Sequence, residues 1–209
     1  MMKDERLEQI LRFALEIDKE KTIGRQTYIS DASRKENDAE HAWHMSIMAI
    51  LLSEYANEEI DVLKTVTILL IHDLVEIYAG DTYCYDEVGK LDQKERELQA
   101  ADKLFNMLPQ DLAEKFRGYW DDFEAHESME ARFAYTLDHF QPVMLNHATN
   151  GRSWKENGIA LSQVHGRNEL CGIGSQTLWQ YCYENFITPH IGKELKEDCK
   201  RKEFPESDK

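Results

Sequence analysis

This sequence predicts an all-α fold, a single compact multi-helix bundle, and three observations predict it. Apolar residues recur at helical spacing in most segments, strand-like alternation is absent, and Gly-rich hairpin signals are few. At 209 residues the chain is long enough for one domain with a sizeable core. No repeat, low-complexity block or linker divides it. Residues 1–195 are expected to form the domain, and 196–209 a charged, frayed tail.

The elements follow in order. Leu7, Ile10, Leu11, Ala14 and Ile17 give a first amphipathic helix. Residues 22–35 are polar, contain Gly24 and predict a loop. Asn37 or Asp38 caps a second helix that runs to about residue 55. A third helix, 61–78, is apolar nearly all round, as expected of a central buried element. Residues 80–89 read as a loop and 90–107 as a highly charged helix; Pro109 starts another that extends towards Ala125. A long helix over 127–148 contains Pro142 and ends at Asn150-Gly151, and residues 154–165 and 176–195 predict two more.

Composition narrows the function. The net charge is -15, which argues against a nucleic-acid polymer or an anionic membrane as partner, since either needs a basic face. A small phosphorylated ligand needs only a few local cations. The four cysteines, Cys84, Cys171, Cys182 and Cys199, form no CxxC pair, the start is unlike a signal peptide, and no apolar run approaches membrane-spanning length. A cytoplasmic protein with reduced thiols is expected.

The dipeptide His72-Asp73 is the sharpest chemical signal. It closes the apolar run Val66-Thr67-Ile68-Leu69-Leu70-Ile71 and precedes Glu76 and Gly80-Asp81. Burying an imidazole and a carboxylate together is costly unless they are paired or bind a cation. His41 lies on a helical stripe with Met45, Met48 and Leu52, and Asp138 on one with Ala131, Ala134, Gln141 and Leu145, so both face inward. His41, His72, Asp73 and Asp138 make a mixed nitrogen and oxygen set for one divalent ion: Mn, Co, Fe, Ni or Zn rather than Ca. Each has a bland reading, and Asp138 could instead pair with Arg132. Pro142 removes the helical hydrogen bond to the Asp138 carbonyl, beside the ligand or on a merely kinked surface helix. Glu76 falls on the face of His72 if the helix continues, and the flexible Gly80 turns Asp81 back over the site. These two acids could divide the proton transfers that a metal-dependent hydrolase needs; the alternative is that Glu76 is a surface acid and Asp81 a turn or cap residue.

His41, His72-Asp73 and Asp138 resemble the H…HD…D signature of HD-domain metal-dependent phosphohydrolases. Glu40-His41, the stretch from His72-Asp73 through Glu76 to Gly80-Asp81, and Leu137-Asp138 resemble its 5'-deoxynucleotidase branch. The resemblance implies an all-helical enzyme that removes the 5'-phosphate from small (deoxy)nucleoside monophosphates. It also implies one metal on His41, His72, Asp73 and Asp138, Glu76 and Asp81 as catalytic acids, and a homodimer. Arg25 falls near the position of a phosphate-binding arginine, with Gln26 where an aromatic often follows, and Arg34 is a second substrate-binding candidate. An alarmone-type pyrophosphohydrolase, or a hydrolase of another small phosphate ester, is the alternative enzyme. Such alarmone enzymes usually have Glu-Asp where this chain has Glu76-Ile77. A non-catalytic metal- or nucleotide-binding helical protein is the alternative outside enzymes.

Overall fold

Apolar spacing sets most of the helices, and their ends show where the chain departs from it. The computed structural model describes residues 3–86 and 88–198. α1 (Lys3–Glu16) leads to a short hairpin of β1 (Gly24–Tyr28) and β2 (Lys35–Asn37), then to α2 (Asp38–Leu52) and α3 (Val62–Ile71). A single turn, α4 (Glu76–Ala79), precedes α5 (Gln93–Phe105), α6 (Gln110–Ala125) and α7 (Met129–Ala148). α8 (Arg152–Asn157), α9 (Leu161–Arg167) and α10 (Gln176–Cys182) complete the bundle.

The hairpin corrects the expectation of a loop over 22–35. The strands are antiparallel, with Gly24 opposite Asn37, Tyr28 opposite Lys35 and an irregular register between. Neither face of β1 is regularly buried, so no alternation exists in the sequence to read. The last residue of β2 is the cap of α2. The Asn37 side chain accepts from Glu40 N–H at 2.9 Å, and the Glu40 carboxylate accepts from Asn37 N–H at 3.2 Å. The hairpin therefore fixes where α2 begins, and with it the position of His41 one turn in.

α3 also differs from expectation. Asp61 caps it, accepting from the Leu63 and Lys64 N–H groups, but it stops at Ile71 rather than 78. The backbone tightens into a 3-10 turn, His72–Val75, before α4. Leu63 and Leu70 are exposed, so α3 is one-sided. The central buried helix is α7, in which Ala131, Phe133, Ala134 and Leu137 are fully enclosed. Gly174 packs against it so closely that a Cβ would fall 2.2 Å from the Arg132 carbonyl oxygen.

Three further elements differ from the periodicity. α1 buries Phe13, while Leu7 and Leu11 of the expected apolar stripe stay exposed. Gly158, at φ 63°, splits the expected helix 154–165 into α8 and α9. The expected helix 176–195 stops at Cys182 and passes through a π turn, Tyr183–Ile187, and a 3-10 turn, Thr188–His190. Lys196 N–H donates to the Ile159 carbonyl and Asp198 accepts from Ser162 N–H, both at 3.0 Å, so 196–198 lie along the start of α9. The rest of the expected tail, with Cys199, lies outside the described residues.

Two apolar clusters hold the bundle. One joins α2, α3, α7 and the C-terminal segments around Met45, Leu69, Phe133 and Trp154. The other joins Phe13 of α1, Ile71, Leu74 and Val75 to α5 and α6 around Leu104 and Trp120. Leu69 belongs to the first and Ile71 to the second, so His72 emerges at their seam. No helix among the described residues is long and apolar enough to cross a membrane.

Candidate functional site

Three elements deliver side chains to that seam. His41 comes from the first turn of α2, His72 and Asp73 from the 3-10 turn after α3, and Asp138 from the middle of α7. On a continuous helix His72 and Asp73 would diverge by a large angle. In the tighter turn His72 Nε2 and Asp73 Oδ2 lie 3.2 Å apart. Asp138 Oδ1 lies 3.0 Å from His41 Nε2 and 3.8 Å from His72 Nε2, and Asp73 Oδ2 is 4.0 Å from His41 Nε2. Donor atoms of His41, His72 and Asp73 all fall within 4.8 Å of one another, a cluster able to hold a metal ion.

The hydrogen bonds behind the imidazoles fix their chemistry. Gln141 donates its amide to Glu36 at 2.9 Å, which turns its oxygen towards His41 Nδ1 at 3.0 Å. His41 Nδ1 therefore carries the proton. Burial first, and the charge of Arg25 second, push this imidazole down to about 4, so it is neutral and Nε2 offers a lone pair. That lone pair faces an Asp138 oxygen 3.0 Å away, an arrangement that calls for a cation. His72 repeats the pattern. Nδ1 donates to the Leu69 carbonyl at 2.9 Å, and Nε2 is buried without a hydrogen-bond partner.

Electrostatics set His72 apart from the neutral His41. Burial works against charge on His72, but Asp73 and Asp138 outweigh it and hold the group well above the ordinary histidine range. Burial likewise opposes charge on Asp73, where His72 and Arg25 win, and on Asp138, where His41 and His72 win. Both carboxylates are held below their usual range. The two aspartates thus draw positive charge to the point where the imidazole nitrogens converge.

Around this point lies a ring of further acids and one buried guanidinium. Arg25 on β1 donates to Asp73 Oδ2 at 2.9 Å and Asp38 Oδ1 at 3.2 Å, with Glu36 3.5 Å from its Nε. Burial, then the charge of Asp73, pushes Asp38 up to about 7 and Glu76 well above the carboxylate range. Glu76 Oε2 is buried without a partner. Gly80, at φ 78°, turns the chain after α4 and directs Asp81 to the same space; burial raises its proton affinity too.

Arg25 and several of the acids line a cavity of about 330 Å³. Arg25, Gln26, His72, Asp73, Glu76, Asp81 and Asp138 are in its wall, and so is Pro142, which is therefore not on a surface kink. Arg34 is placed elsewhere. It makes a two-pronged pair with Glu40 at 2.6 and 2.7 Å and is outside the cavity wall. Arg132 is not the partner of Asp138, since its Nε donates to the His126 carbonyl. The cation that faces Asp138 from α9 is Arg167, with Nη2 3.5 Å from Oδ2.

Sequence reasoning missed Glu36, Asp38, His139 and Arg167. Asp38 reads as a cap, yet it sits three residues before His41, a spacing that places both on one helix face. Gln141, three residues after Asp138, carries the same signal on the inward stripe of α7. Nothing local marks Arg167, which reaches the site through the packing of α9.

The HD-domain profile matches residues 17–179, and the chain belongs to that family. The 5'-deoxynucleotidase HDDC2 of Homo sapiens is 25% identical over 136 residues, 65% of each chain. The 5'-deoxynucleotidase YBR242W of Saccharomyces cerevisiae is 30% identical over 128 residues, 58% of this chain and 52% of its own. The chain thus spans 65% of the human relative's length. A protein from Magnetospirillum magnetotacticum, whose crystal structure describes it as a predicted metal-dependent phosphohydrolase, is 45% identical with a TM-score of 0.81. That match covers 86% of this chain and 90% of the other.

Proposed function

We propose that this chain is a metal-dependent phosphohydrolase that removes the 5'-phosphate from nucleoside or deoxynucleoside monophosphates. The carrying observation is the pair of imidazoles, each with its Nδ1 occupied by a carbonyl acceptor and its Nε2 aimed at the Asp73 and Asp138 carboxylates. His41, His72, Asp73 and Asp138 would hold one divalent ion. Ligand bonds of about 2.1 Å put neighbouring donor atoms roughly 3.0–3.4 Å apart, close to the 3.0 and 3.2 Å separations seen here. Such an ion supplies Lewis-acid polarisation of a phosphoryl oxygen and activation of water.

The chain's own residues do the rest. Arg25 presents a fork that matches phosphate geometry, held in place by Asp73 and Asp38. Glu76 and Asp81 line the same cavity and hold protons more tightly than ordinary carboxyls, as groups that exchange protons with water and the leaving oxygen must. The cavity volume suits a small ligand rather than a polymer. The nucleotidase names of the human and yeast relatives support the substrate class.

Phosphate release from a panel of ribo- and deoxynucleoside monophosphates tests this reading, using stripped protein with Mn, Co, Mg or Zn restored. Release that requires the added ion is expected. Silence across the panel, with metal bound, would overturn it. The homodimer remains part of the proposal. The outward faces of α2 and α3 expose Trp43, Ile47, Ile50, Leu51, Leu63 and Leu70, an apolar surface that a second copy would cover. A monomer by light scattering at micromolar concentration would remove that part.

A further inference from the structure

We propose that Arg167 is a second phosphate anchor of this cavity, beside Arg25; this rests on the reading that the cavity takes a phosphorylated ligand.

The two arginines differ in how far they are committed. Arg25 has three carboxylates at 2.9, 3.2 and 3.5 Å and a side chain only 14% exposed. Its charge is more than neutralised within the protein. Arg167 has the Asp138 carboxylate at 3.5 Å, beyond good hydrogen-bond length, and its side chain is 39% exposed. A guanidinium carries five N–H donors. Arg167 lines the cavity, and one of its donors, Nη2, faces Asp138.

Charge balance makes the same point. Asp73, Glu76, Asp81, Glu97, Glu124 and Asp138 all line the cavity, against the cations Arg25, Lys90 and Arg167. A phosphate dianion entering such a wall needs a cation that can turn to meet it. Asp138 orders the two sides. Its Oδ1 faces the imidazoles of His41 and His72, and its Oδ2 faces Arg167 and His139. Arg167 is thereby poised one carboxylate away from the cluster of donors. Asp81 lines the same cavity as both guanidinia. Asn168, which follows Arg167, is buried, and its amide donates to the Val164 carbonyl at 2.7 Å, anchoring the end of α9. The base of Arg167 is thus fixed while its head stays reachable.

The test is calorimetric titration of Mn-loaded protein with inorganic phosphate, and separately with an unphosphorylated nucleoside. Arg167→Gln is expected to weaken phosphate about 10- to 100-fold and leave nucleoside binding and metal content unchanged. Arg167→Lys should recover part of the loss, because lysine keeps the charge but not the fork. In turnover, KM should rise more than kcat falls. Arg152→Gln, a cation outside the cavity wall, should match wild type. Unchanged phosphate affinity in Arg167→Gln would overturn the anchor. So would an equal loss for the nucleoside, which would place Arg167 on the base, and so would a wild type that binds no phosphate. Phosphate binding that depends on Arg167 in a protein that hydrolyses no monophosphate would keep the anchor and reject the nucleotidase reading.

Discussion

α3 and α7 supply the centre of the site by opposite means. α7 stays helical through Asp138 and past Pro142, and gives one aspartate from a fully packed face. α3 ends at Ile71, and the 3-10 turn after it gives two consecutive residues to the same point. A regular helix presents one neighbour in three or four to a given face. Only a break lets His72 and Asp73 point together. The site thus combines a rigid wall with a locally irregular one, and the irregular one carries the adjacent His72 and Asp73 and leads directly to Glu76.

This contrast can be broken from either side. The largest effect is expected on the rigid wall. Asp138→Ala removes the oxygen shared by both imidazoles, and metal content and turnover should fall together by more than about 100-fold, beyond the usual cost of an outer-shell partner. Retained metal in that variant, by elemental analysis, would show that the wall is dispensable. On the irregular side, Glu76→Gln should keep the fold and the metal while turnover drops about 10²- to 10⁴-fold. Unchanged kcat would remove Glu76 from proton transfer.

Smaller effects sharpen the comparison. Gly80→Ala forces a Cβ onto a backbone at φ 78°, at a cost of roughly 1–2 kcal/mol. A lower melting midpoint and weakened activity through Asp81 are expected. Glu20 tests the setting of the irregular turn. Burial, then the charge of Asp73, pushes it up to about 7. A raised acid adds stability that is complete below the ordinary carboxylate range and lost as pH rises through the folded value. Metal-stripped protein should therefore lose about 2 kcal/mol through Glu20 between pH 4.5 and 7, and Glu20→Gln should reduce the slope in denaturant melts, with Glu36, Asp38 and Glu124 supplying the rest. The smallest effect belongs to Pro142→Ala, which restores an N–H for the Asp138 carbonyl. Metal binding should persist and the midpoint rise slightly. Loss of metal would show that the site depends on Pro142 withholding a hydrogen bond from the Asp138 carbonyl.

The two walls were not equally legible. α7, its inward Asp138 and its proline follow from apolar spacing alone, because a regular helix repeats its signal over many residues. His41 was legible for the same reason. The turn at His72 was not. Apolar residues continue through Ile77, and periodicity cannot report a change from 3.6 to three residues per turn over four positions. Its consequence was nevertheless visible in the adjacency of His72 and Asp73. The hairpin was hidden because its strands are short and irregular. Arg25 was found through resemblance, whereas its carboxylate partners Glu36 and Asp38 had only local capping and strand signals. Arg34 drew attention by charge and loop position, but its pairing with Glu40 is set by the α2 cap.

The most direct test of one ion serving the reaction is native mass spectrometry of Mn-loaded wild type and Asp73→Ala, with phosphate release measured on the same samples. One ion per chain and metal-dependent release are expected for wild type, and neither for Asp73→Ala. Wild-type rates of release from metal-free Asp73→Ala would contradict the account.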